Sequence, residues 1–456
     1  MSLFSFLDRD HSVAKPGYSR WLVPPAALAI HLAIGQVYAF SVFVNPLLAF
    51  SNSIGTPWSH KQVGYIFSFA IALLGISAAV FGKWLETAGP RKAMFVAASC
   101  FGLGFLVAAL GIKLHSLPLI YLGYGGIGGI GLGVGYISPV STLIKWFPDR
   151  PGLSTGLAIM GFGGGAMIGA PLATNLMAHF KAHGLEPIGP TFFWMGVVYF
   201  LFMMFGVFTI RVPAPGWKPE GFVPPVHQSA MISKNNVTVN SAMATPQFWL
   251  LWLVLALNVT AGIGVLESAA PMLQNLFSSK VTVFAAGGFV GLLSLFNMGG
   301  RFVWASLSDF IGRKATYMVF FVLGAILYFL LPSIHVLSLF VIVAGILISM
   351  YGGGFSTIPA YLKDLFGGVN VSAIHGRVLT AWSTAGIIGP LIINAYLDKY
   401  KAANRPLVDA YPHILHIMAG LLVLGFICNL LVRPVSERFW MKEGDLAPPT
   451  TVATKY

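Results

Sequence analysis

Apolar residues recur along the chain in long stretches that short polar segments interrupt. A bilayer hydrocarbon core about 30 Å thick is crossed by about 20 apolar residues in a helix. Twelve stretches meet this requirement and predict membrane helices, named spans 1 to 12 in chain order. They lie near 20–49, 63–84, 93–112, 117–141, 153–178, 190–211, 246–275, 283–307, 315–333, 336–361, 377–398 and 411–433. The pattern therefore predicts an all-α membrane protein.

One polar interruption is much longer than the others. Residues 212–245 are polar and rich in proline, which is typical of a linker, and they divide the spans six and six. The expected organisation is an N-terminal segment (1–19), a six-helix bundle (20–211), the linker (212–245), a second six-helix bundle (246–433) and a tail (434–456).

The composition agrees with a membrane protein and excludes other classes. Of the 456 residues 56% are hydrophobic and 9% are charged, whereas soluble domains carry about 25% charged residues. The net charge of +13 comes from residues scattered through short loops, so no nucleic-acid partner is expected. Cys100 and Cys428 lack the spacing of a metal or redox motif, and neither a metal nor a cofactor is expected.

The basic residues also predict an orientation. Of the 27 Lys and Arg residues, 19 fall on the side of the termini, 7 fall on the other side, and Arg301 alone remains inside a span. By the positive-inside rule, the termini and the linker are cytoplasmic. The expected location is a bacterial-type plasma (inner) membrane.

The two halves share a repeated loop. Residues 82–92 (GKWLETAGPRK) follow span 2, and residues 305–314 (ASLSDFIGRK) follow span 8. Each contains an acid, two further residues, a glycine and a basic pair, and 146–171 similarly resembles 365–390. The positions that carry this pattern are Glu86, Gly89 and Arg91 in the first copy and Asp309, Gly312, Arg313 and Lys314 in the second. Two six-helix halves in parallel repeat are typical of one large class of secondary transporters.

A glycine-rich stretch in span 4 imitates a nucleotide-binding motif. Residues 123–128 (GYGGIG) fit G-x-G-x-x-G, but a dinucleotide site needs a preceding strand and an acid about 20 residues later. Neither is present in the sequence pattern. Glycines within a span instead allow close helix packing, which is the predicted role here.

Few ionisable residues lie within the spans. Arg301 and Glu267 are the formal charges, and His31 is a further titratable group. A charge at mid-bilayer costs about 3 kcal/mol on the insertion scale, so it usually faces a cavity or a partner. Arg301 suits a carboxylate because guanidinium binds it with two hydrogen bonds. Asn297, one helical turn earlier, could bind the substrate or fix the Arg301 rotamer.

These residues allow other roles. Arg301 and Glu267 could form a buried pair that only joins span 7 to span 8. Glu267 could instead carry a coupling proton, since burial favours its neutral form. His31 could relay a proton or could simply form a hydrogen bond between packed helices.

Several stretches together resemble one transporter family. They are GQVYAFSVFVNP (35–46), YISPVSTLIKWFPDRPGLSTG (136–156), TPQFWLLW (245–252) and NMGGRFVWASLSDFIGRK (297–314). The chain resembles the oxalate/formate antiporter family of the major facilitator superfamily, which is similar to monocarboxylate transporters. The resemblance implies a fold of 12 transmembrane helices in two six-helix bundles, with the repeated loops as a cytoplasmic latch.

The resemblance also implies a binding site. The span 8 arginine of the family, here Arg301, contacts a substrate carboxylate, and aromatic residues surround the anion. The matching positions here are Tyr38, Tyr136, Phe162, Tyr351 and Trp382, with Gln36 nearby. Oxalate-handling members carry a lysine in span 11, where Trp382 stands in this chain. One cation favours a monoanion over a dianion.

The sequence therefore predicts a transporter and not an enzyme. The expected activity is proton-coupled transport of a monocarboxylate such as lactate, pyruvate or formate by alternating access, with a monomeric protein in a lipid bilayer. The alternative is antiport of the oxalate/formate type, in which a counter-anion replaces the proton.

Overall fold

A computed structural model describes residues 5–222, 231–233, 235–277, 281 and 283–442. Within those ranges, the side chains of residues 60, 61, 267, 268, 270, 271, 283–287 and 394 are outside the description. Throughout, the terminal side is the side of the bilayer on which residues 5–22 and 432–442 lie, and the far side is the opposite one.

The twelve predicted spans correspond to long helices. Span 1 comprises Pro24–Ile34, Gly35–Ala39 and Ser41–Ser53, and span 4 comprises Leu117–Ile120, Tyr121–Ile127 and Gly128–Trp146. Spans 2, 3, 5 and 6 are His60–Ala88, Pro90–Lys113, Pro151–Ala182 and Ile188–Thr209. Spans 7 to 10 are Pro246–Leu276, Val283–Ile311, Arg313–Leu330 and Leu337–Phe366. Span 11 comprises Val371–Val378 and Thr380–Ala402, and span 12 is Ala410–Leu431.

Eleven helices in the described part of the chain are long and apolar enough to cross a membrane. The remaining long helix is span 8, whose 29 residues include Arg301 and Asp309. The prediction of an all-α, twelve-helix membrane fold is confirmed.

Local sequence signals explain where several spans begin. The Ser59 hydroxyl accepts from the backbone N–H of Gln62, and the Gln62 side chain accepts from that of Ser59, which makes a capping box. Thr245 caps span 7 in the same manner through the N–H of Phe248. Gly89 and Gly312 have φ of +83° and +87°, so these glycines of the repeated loop allow the chain to reverse between helices.

Span 11 differs from the prediction. It begins at Val371 instead of residue 377, and its first helix ends at Val378 before a new helix starts at Thr380. The predicted span 11 left His375 outside the membrane helices, whereas the structure includes it in the first helix of this span and buries its side chain.

The glycine-rich stretch of span 4 lies against span 3. A Cβ on Gly123 would come within 2.5 Å of the backbone nitrogen of Ala108, and one on Gly104 would come within 2.7 Å of Gly128. A side chain at these positions would push the helices apart. The geometry fits the packing role predicted for 123–128.

The two bundles meet from the terminal side to the middle of the membrane along two helix pairs. Span 5 contacts span 8, where a Cβ on Gly163 would lie 3.0 Å from the backbone nitrogen of Met298. Span 2 contacts span 11, where the Ser383 hydroxyl donates to the carbonyl of Ile71 at 3.0 Å. The terminal side is therefore closed between the bundles in this structure.

Candidate functional site: a buried arginine among aromatic rings

Arg301 lies near the middle of span 8, about 15 Å from the Ile311 end at 1.5 Å per residue. Its side chain is fully buried. Its Nε donates to the Asn297 side-chain oxygen at 2.9 Å, while neither terminal nitrogen, Nη1 or Nη2, has a hydrogen-bond partner among the described residues. Asn297 thus fixes the guanidinium, and its two terminal nitrogens point toward the hydroxyls of Tyr38 and Tyr136 without forming a regular hydrogen bond.

Glycines on two neighbouring helices make room for this arginine. A Cβ on Gly352 in span 10 would lie 2.5 Å from the Asn297 side-chain oxygen, and one on Gly163 in span 5 would lie 3.1 Å from Arg301 Nε. Any larger residue would displace the Arg301–Asn297 pair. The glycine runs at 163–165 and 352–354 thereby allow a long polar side chain between closely packed helices.

Aromatic rings surround the guanidinium. Its carbon lies 5.0 Å from the ring centre of Phe355 and 5.6 Å from that of Phe162. Phe162 is also 5.3 Å from the ring of Tyr136 and 5.2 Å from that of Trp382. Cation–π attraction of up to about 2 kcal/mol per desolvated ring partly offsets the cost of burying the charge.

Two of these aromatic residues carry unused polar atoms. The Tyr136 hydroxyl and the Trp382 indole nitrogen are buried and have no hydrogen-bond partner in the described part of the chain. Buried donors without partners are uncommon. Together with the two Arg301 nitrogens, they form a set of donors around Phe162 that an anion with several oxygens would satisfy.

Tyr38 and Tyr351 bring the two bundles together beside this set. Their hydroxyl oxygens share a hydrogen bond at 3.0 Å between span 1 and span 10. The Tyr38 ring is 5.2 Å from that of Phe162, and the charge of Arg301 acts on both hydroxyls. The predicted aromatic residues Tyr38, Tyr136, Phe162, Tyr351 and Trp382 are thus brought together with Arg301.

His31 lies on the terminal side of the same cluster. Its ring is 5.3 Å from that of Tyr136, and it is fully buried. Nδ1 faces the carbonyl oxygen of Ala158, and Nε2 faces that of Tyr136 at 3.1 Å. A neutral imidazole has one N–H and an imidazolium has two, so only the protonated ring donates to both carbonyls.

Gln36 is not brought against Arg301. Its side-chain oxygen accepts from the Tyr124 hydroxyl at 3.3 Å, and its Cγ lies close to Gly169, within the N-terminal bundle. The 3₁₀ segment Gly35–Ala39 turns this side chain away from the neighbouring bundle. Glu267 belongs to the side chains outside the described set, so its predicted pairing with Arg301 stays a prediction.

Phe355 is a site residue that the sequence reasoning missed. It lies 5.0 Å from the Arg301 guanidinium carbon and 4.5 Å from the Trp382 ring. The signal that could have found it is its position one helical turn after Tyr351, on the same face of span 10.

The repeated loops lie below this site on the terminal side. Asp309 accepts from the backbone N–H groups of Gly152 and Leu153, each at 2.8 Å, at the start of span 5. Arg313 donates to Asp309 at 2.6 Å and to Asp364 at 3.2 Å. A carboxylate at a helix N-terminus is favourable because free N–H groups and the positive end of the helix dipole lie there. The loop after span 8 thus ties the second bundle to the first.

The first copy of the loop makes fewer and longer hydrogen bonds to the other bundle. Glu86 accepts from the backbone N–H of Ser372 at 3.3 Å, at the start of span 11, and from Lys145 at 3.3 Å. Arg91 instead donates to the carbonyls of Phe6 and His11, which attaches the N-terminal segment to span 3. Lys314 likewise donates to the carbonyls of Leu430 and Val432 at the end of span 12.

Comparison with known proteins agrees with this architecture. The family model of the Major Facilitator Superfamily matches residues 26–390 and 299–442. The oxalate:formate antiporter of Oxalobacter formigenes is 25% identical over 81% of this chain and 83% of its own. Monocarboxylate transporter 13 of Bos taurus is 29% identical over 37% of this chain and 38% of its own.

A solved structure shows the same fold. The transporter FucP in its outward conformation superposes with a TM-score of 0.64 at 13% identity, covering 91% of this chain and all of that one. The resemblance of the sequence to the oxalate/formate antiporter family and to monocarboxylate transporters is confirmed. The chain belongs to the Major Facilitator Superfamily, whose members are membrane transporters and not enzymes.

Proposed function

We propose that the chain carries small monocarboxylates across a bacterial plasma membrane by alternating access, with the terminal side in the cytoplasm. One observation supports this above all. A fully buried guanidinium keeps both terminal nitrogens without a partner among the described residues. Such a group is costly unless an anion visits it, and a carboxylate matches its two parallel donors.

The surroundings of Arg301 favour a single negative charge. The ring contacts next to it come from Phe162 and Phe355, and Trp382 occupies the span 11 position expected to hold a cation in oxalate-handling relatives. A dianion would leave one charge facing aromatic rings. Lactate and pyruvate place one carboxylate on Arg301 and a further oxygen near the Tyr136 and Trp382 donors.

His31 is proposed to couple a proton to the anion. Arg301 and protonated His31 repel each other across the cluster, and a carboxylate on Arg301 removes that repulsion. Anion binding therefore favours the His31 imidazolium, which can donate to both carbonyls that face it. By reciprocity, a proton on His31 strengthens anion binding, which is the requirement for symport. Glu267 remains a second candidate for this proton.

The test is uptake of labelled lactate into proteoliposomes with and without an inward proton gradient. Liposomes without protein correct for lactic acid that crosses the bilayer as the neutral acid. Arg405→Gln is the matched control for Arg301→Gln, because Arg405 is an exposed arginine outside the site. Uptake driven by the gradient supports symport, and counterflow without any response to the gradient rejects it.

Anion exchange is the second candidate, because the chain is similar to an oxalate:formate antiporter along most of its length. Exchange predicts that uptake depends on an anion loaded inside the liposomes. Oxalate and formate are the pair to compare with lactate and pyruvate in that experiment.

A further inference from the structure

His375 is a buried histidine apart from the Arg301 site. It lies in the short helix Val371–Val378 that opens span 11, and 1% of its surface is exposed. The helix is pressed against span 2: a Cβ on Gly376 would overlap the carbonyl oxygen of Ala78, and one on Gly82 would lie 2.9 Å from the Cα of Ala373. The helix that carries His375 is thus closely packed against the first bundle on the terminal side.

The ring of His375 has an aromatic neighbour and an unused nitrogen. Its centre is 6.0 Å from that of Tyr136, and His31 lies 5.3 Å from the same tyrosine. Nε2 of His375 is buried without a hydrogen-bond partner among the described residues. The charge of a protonated His31 acts on His375 from the first bundle.

The carboxylates near this helix bond to groups other than the His375 ring. Glu86 of span 2 pairs with Lys145 and caps Ser372, and Asp364 of span 10 pairs with Arg313. Nothing titratable is found on residues 246–262 of span 7. Several titratable side chains lie in the terminal-side halves of the spans that pack against this helix, and one lies on the helix itself. They are Lys83 and Glu86 (span 2), Tyr136 and Lys145 (span 4), Tyr351, Tyr361, Lys363 and Asp364 (span 10) and Arg377.

These surroundings accept a neutral ring and oppose a charged one. A protonated imidazole has two N–H donors, and a buried cation whose donors lack acceptors or water is strongly unfavourable. In the closed arrangement Nε2 has no acceptor in the described part of the protein. Water at that nitrogen would remove this cost.

We propose that His375 is a second proton-binding residue, which takes its proton from the cytoplasm and, while protonated, keeps spans 2 and 11 apart on that side. The inference rests on the proposed alternating-access cycle and its orientation. The proton must leave His375 before the cytoplasmic side closes. An acidic cytoplasm therefore favours the inward-open form. For one proton, the equilibrium constant between the open and closed forms changes by at most about tenfold per pH unit.

Ser372→Cys is a suitable reporter of the closed interface, in a background with Cys100→Ser and Cys428→Ser. Ser372 is 2% exposed and lies where span 11 meets span 2. Thr87→Cys, at an exposed position on span 2, is the matched reference. Both are labelled with a membrane-impermeant maleimide in inside-out vesicles at pH 8, 7 and 6. The ratio of the two rates removes the pH dependence of the thiol reaction itself.

With His375 present, the ratio is expected to rise several-fold between pH 8 and pH 6, and His375→Gln should remove this rise. An equal rise in both proteins would overturn the proposal, as would a flat ratio with His375 present. His375→Asn is the second variant if the glutamine protein does not fold.

The labelling needs no substrate, so it is independent of the proposed carboxylate transport. Lactate counterflow is measured on the same His375→Gln protein. Loss of counterflow in every protein, including the one with His375, would reject the proposed function, while the labelling ratio would still decide the role of His375.

Discussion

The hydroxyl groups of Tyr38 and Tyr351 meet at 3.0 Å and join span 1 of one bundle to span 10 of the other. Both tyrosines lie about one helical turn further from the terminal side than Arg301, counted along their own helices. They therefore stand between the buried guanidinium and the far side. In the proposed cycle, an anion on Arg301 leaves toward that side only after this contact breaks.

Removing either hydroxyl should speed that exit. One neutral hydrogen bond contributes about 1 kcal/mol, so Tyr38→Phe and Tyr351→Phe should each raise the dissociation rate of lactate about fivefold. Intrinsic tryptophan fluorescence in stopped-flow mixing measures the rate, since Trp382 lies in the proposed site. Since both changes break the same bond, the double variant should be no faster than either single one. Additive rates would show that the tyrosines act separately.

The polar atoms of Trp382 and Tyr136 should determine the relative affinity for short acids that differ in the substituent on the second carbon. Propanoate, lactate and pyruvate differ there in having no oxygen, a hydroxyl or a keto oxygen. Trp382→Phe removes the indole donor and keeps an aromatic ring. It should reduce the preference for lactate and pyruvate over propanoate about tenfold, through the loss of one to two kcal/mol from those ligands alone.

Competition of the three acids against labelled pyruvate measures this preference, with Tyr136→Phe as the matched second variant. Equal weakening of all three acids would mean that Trp382 contributes shape without a hydrogen bond to the substrate.

The acid of the second repeated loop should hold the terminal side closed. Asp309 accepts two backbone N–H bonds at the start of span 5, whereas Glu86 accepts one longer bond at the start of span 11. Asp309→Asn keeps the shape and removes the charge. The expected shift toward the open form is about 2 kcal/mol, or roughly thirtyfold. Maleimide labelling of Ser372→Cys reports it.

Glu86→Gln is the comparison for that prediction and should shift the labelling less. A larger shift in the Glu86 variant would assign the main latch to the first copy of the loop.

Stability should depend on Asp149 in a pH-sensitive manner. Partial burial opposes its charge, yet the hydrogen bonds and charge of Arg20, at 2.6 and 3.1 Å, hold the pKa of Asp149 below its usual value. A lowered carboxylate pKa stabilises the fold above the unfolded pKa of about 4, and this contribution is lost as the pH falls through the folded value. Asp149→Asn should therefore lower Tm by a few degrees at pH 7 and have little effect near pH 3.

Thermal unfolding in detergent at both pH values tests this, and Asp398→Asn, a change on the far side of span 11, is the control. An equal loss of Tm at both pH values would show that the Arg20–Asp149 pair is not the cause.

The sequence predicted the features that depend on the bilayer itself. About twenty apolar residues are needed per span, and a charge inside the bilayer is costly unless it faces a partner or a cavity. The helices and Arg301 could therefore be recognised without coordinates. Side-chain directions could not be recognised where a helix is irregular. The 3₁₀ turn at Gly35–Ala39 changes the helical phase between Gln36 and Tyr38, and Tyr38 packs against Phe162 beside the arginine while Gln36 bonds to Tyr124.

Burial between two bundles was also beyond the sequence. His375 belongs to a polar segment that resembles a loop, and it becomes buried because Gly376 and Gly82 let span 11 rest on span 2. Phe355 was missed for a related reason: its distance to Arg301 depends on how spans 8 and 10 cross. Such contacts between distant parts of the chain follow from packing and not from local pattern.

Direct binding to purified protein tests the central claim about Arg301 most directly. Isothermal titration with lactate should give the same dissociation constant for the parent protein and for Arg405→Gln. For Arg301→Gln the constant should be at least about 100-fold larger, because removing one partner of a buried charge pair costs about 3 kcal/mol or more. Unfolding temperatures close to the parent value would show that both variants fold. Undiminished lactate affinity in a folded Arg301→Gln protein would contradict the account.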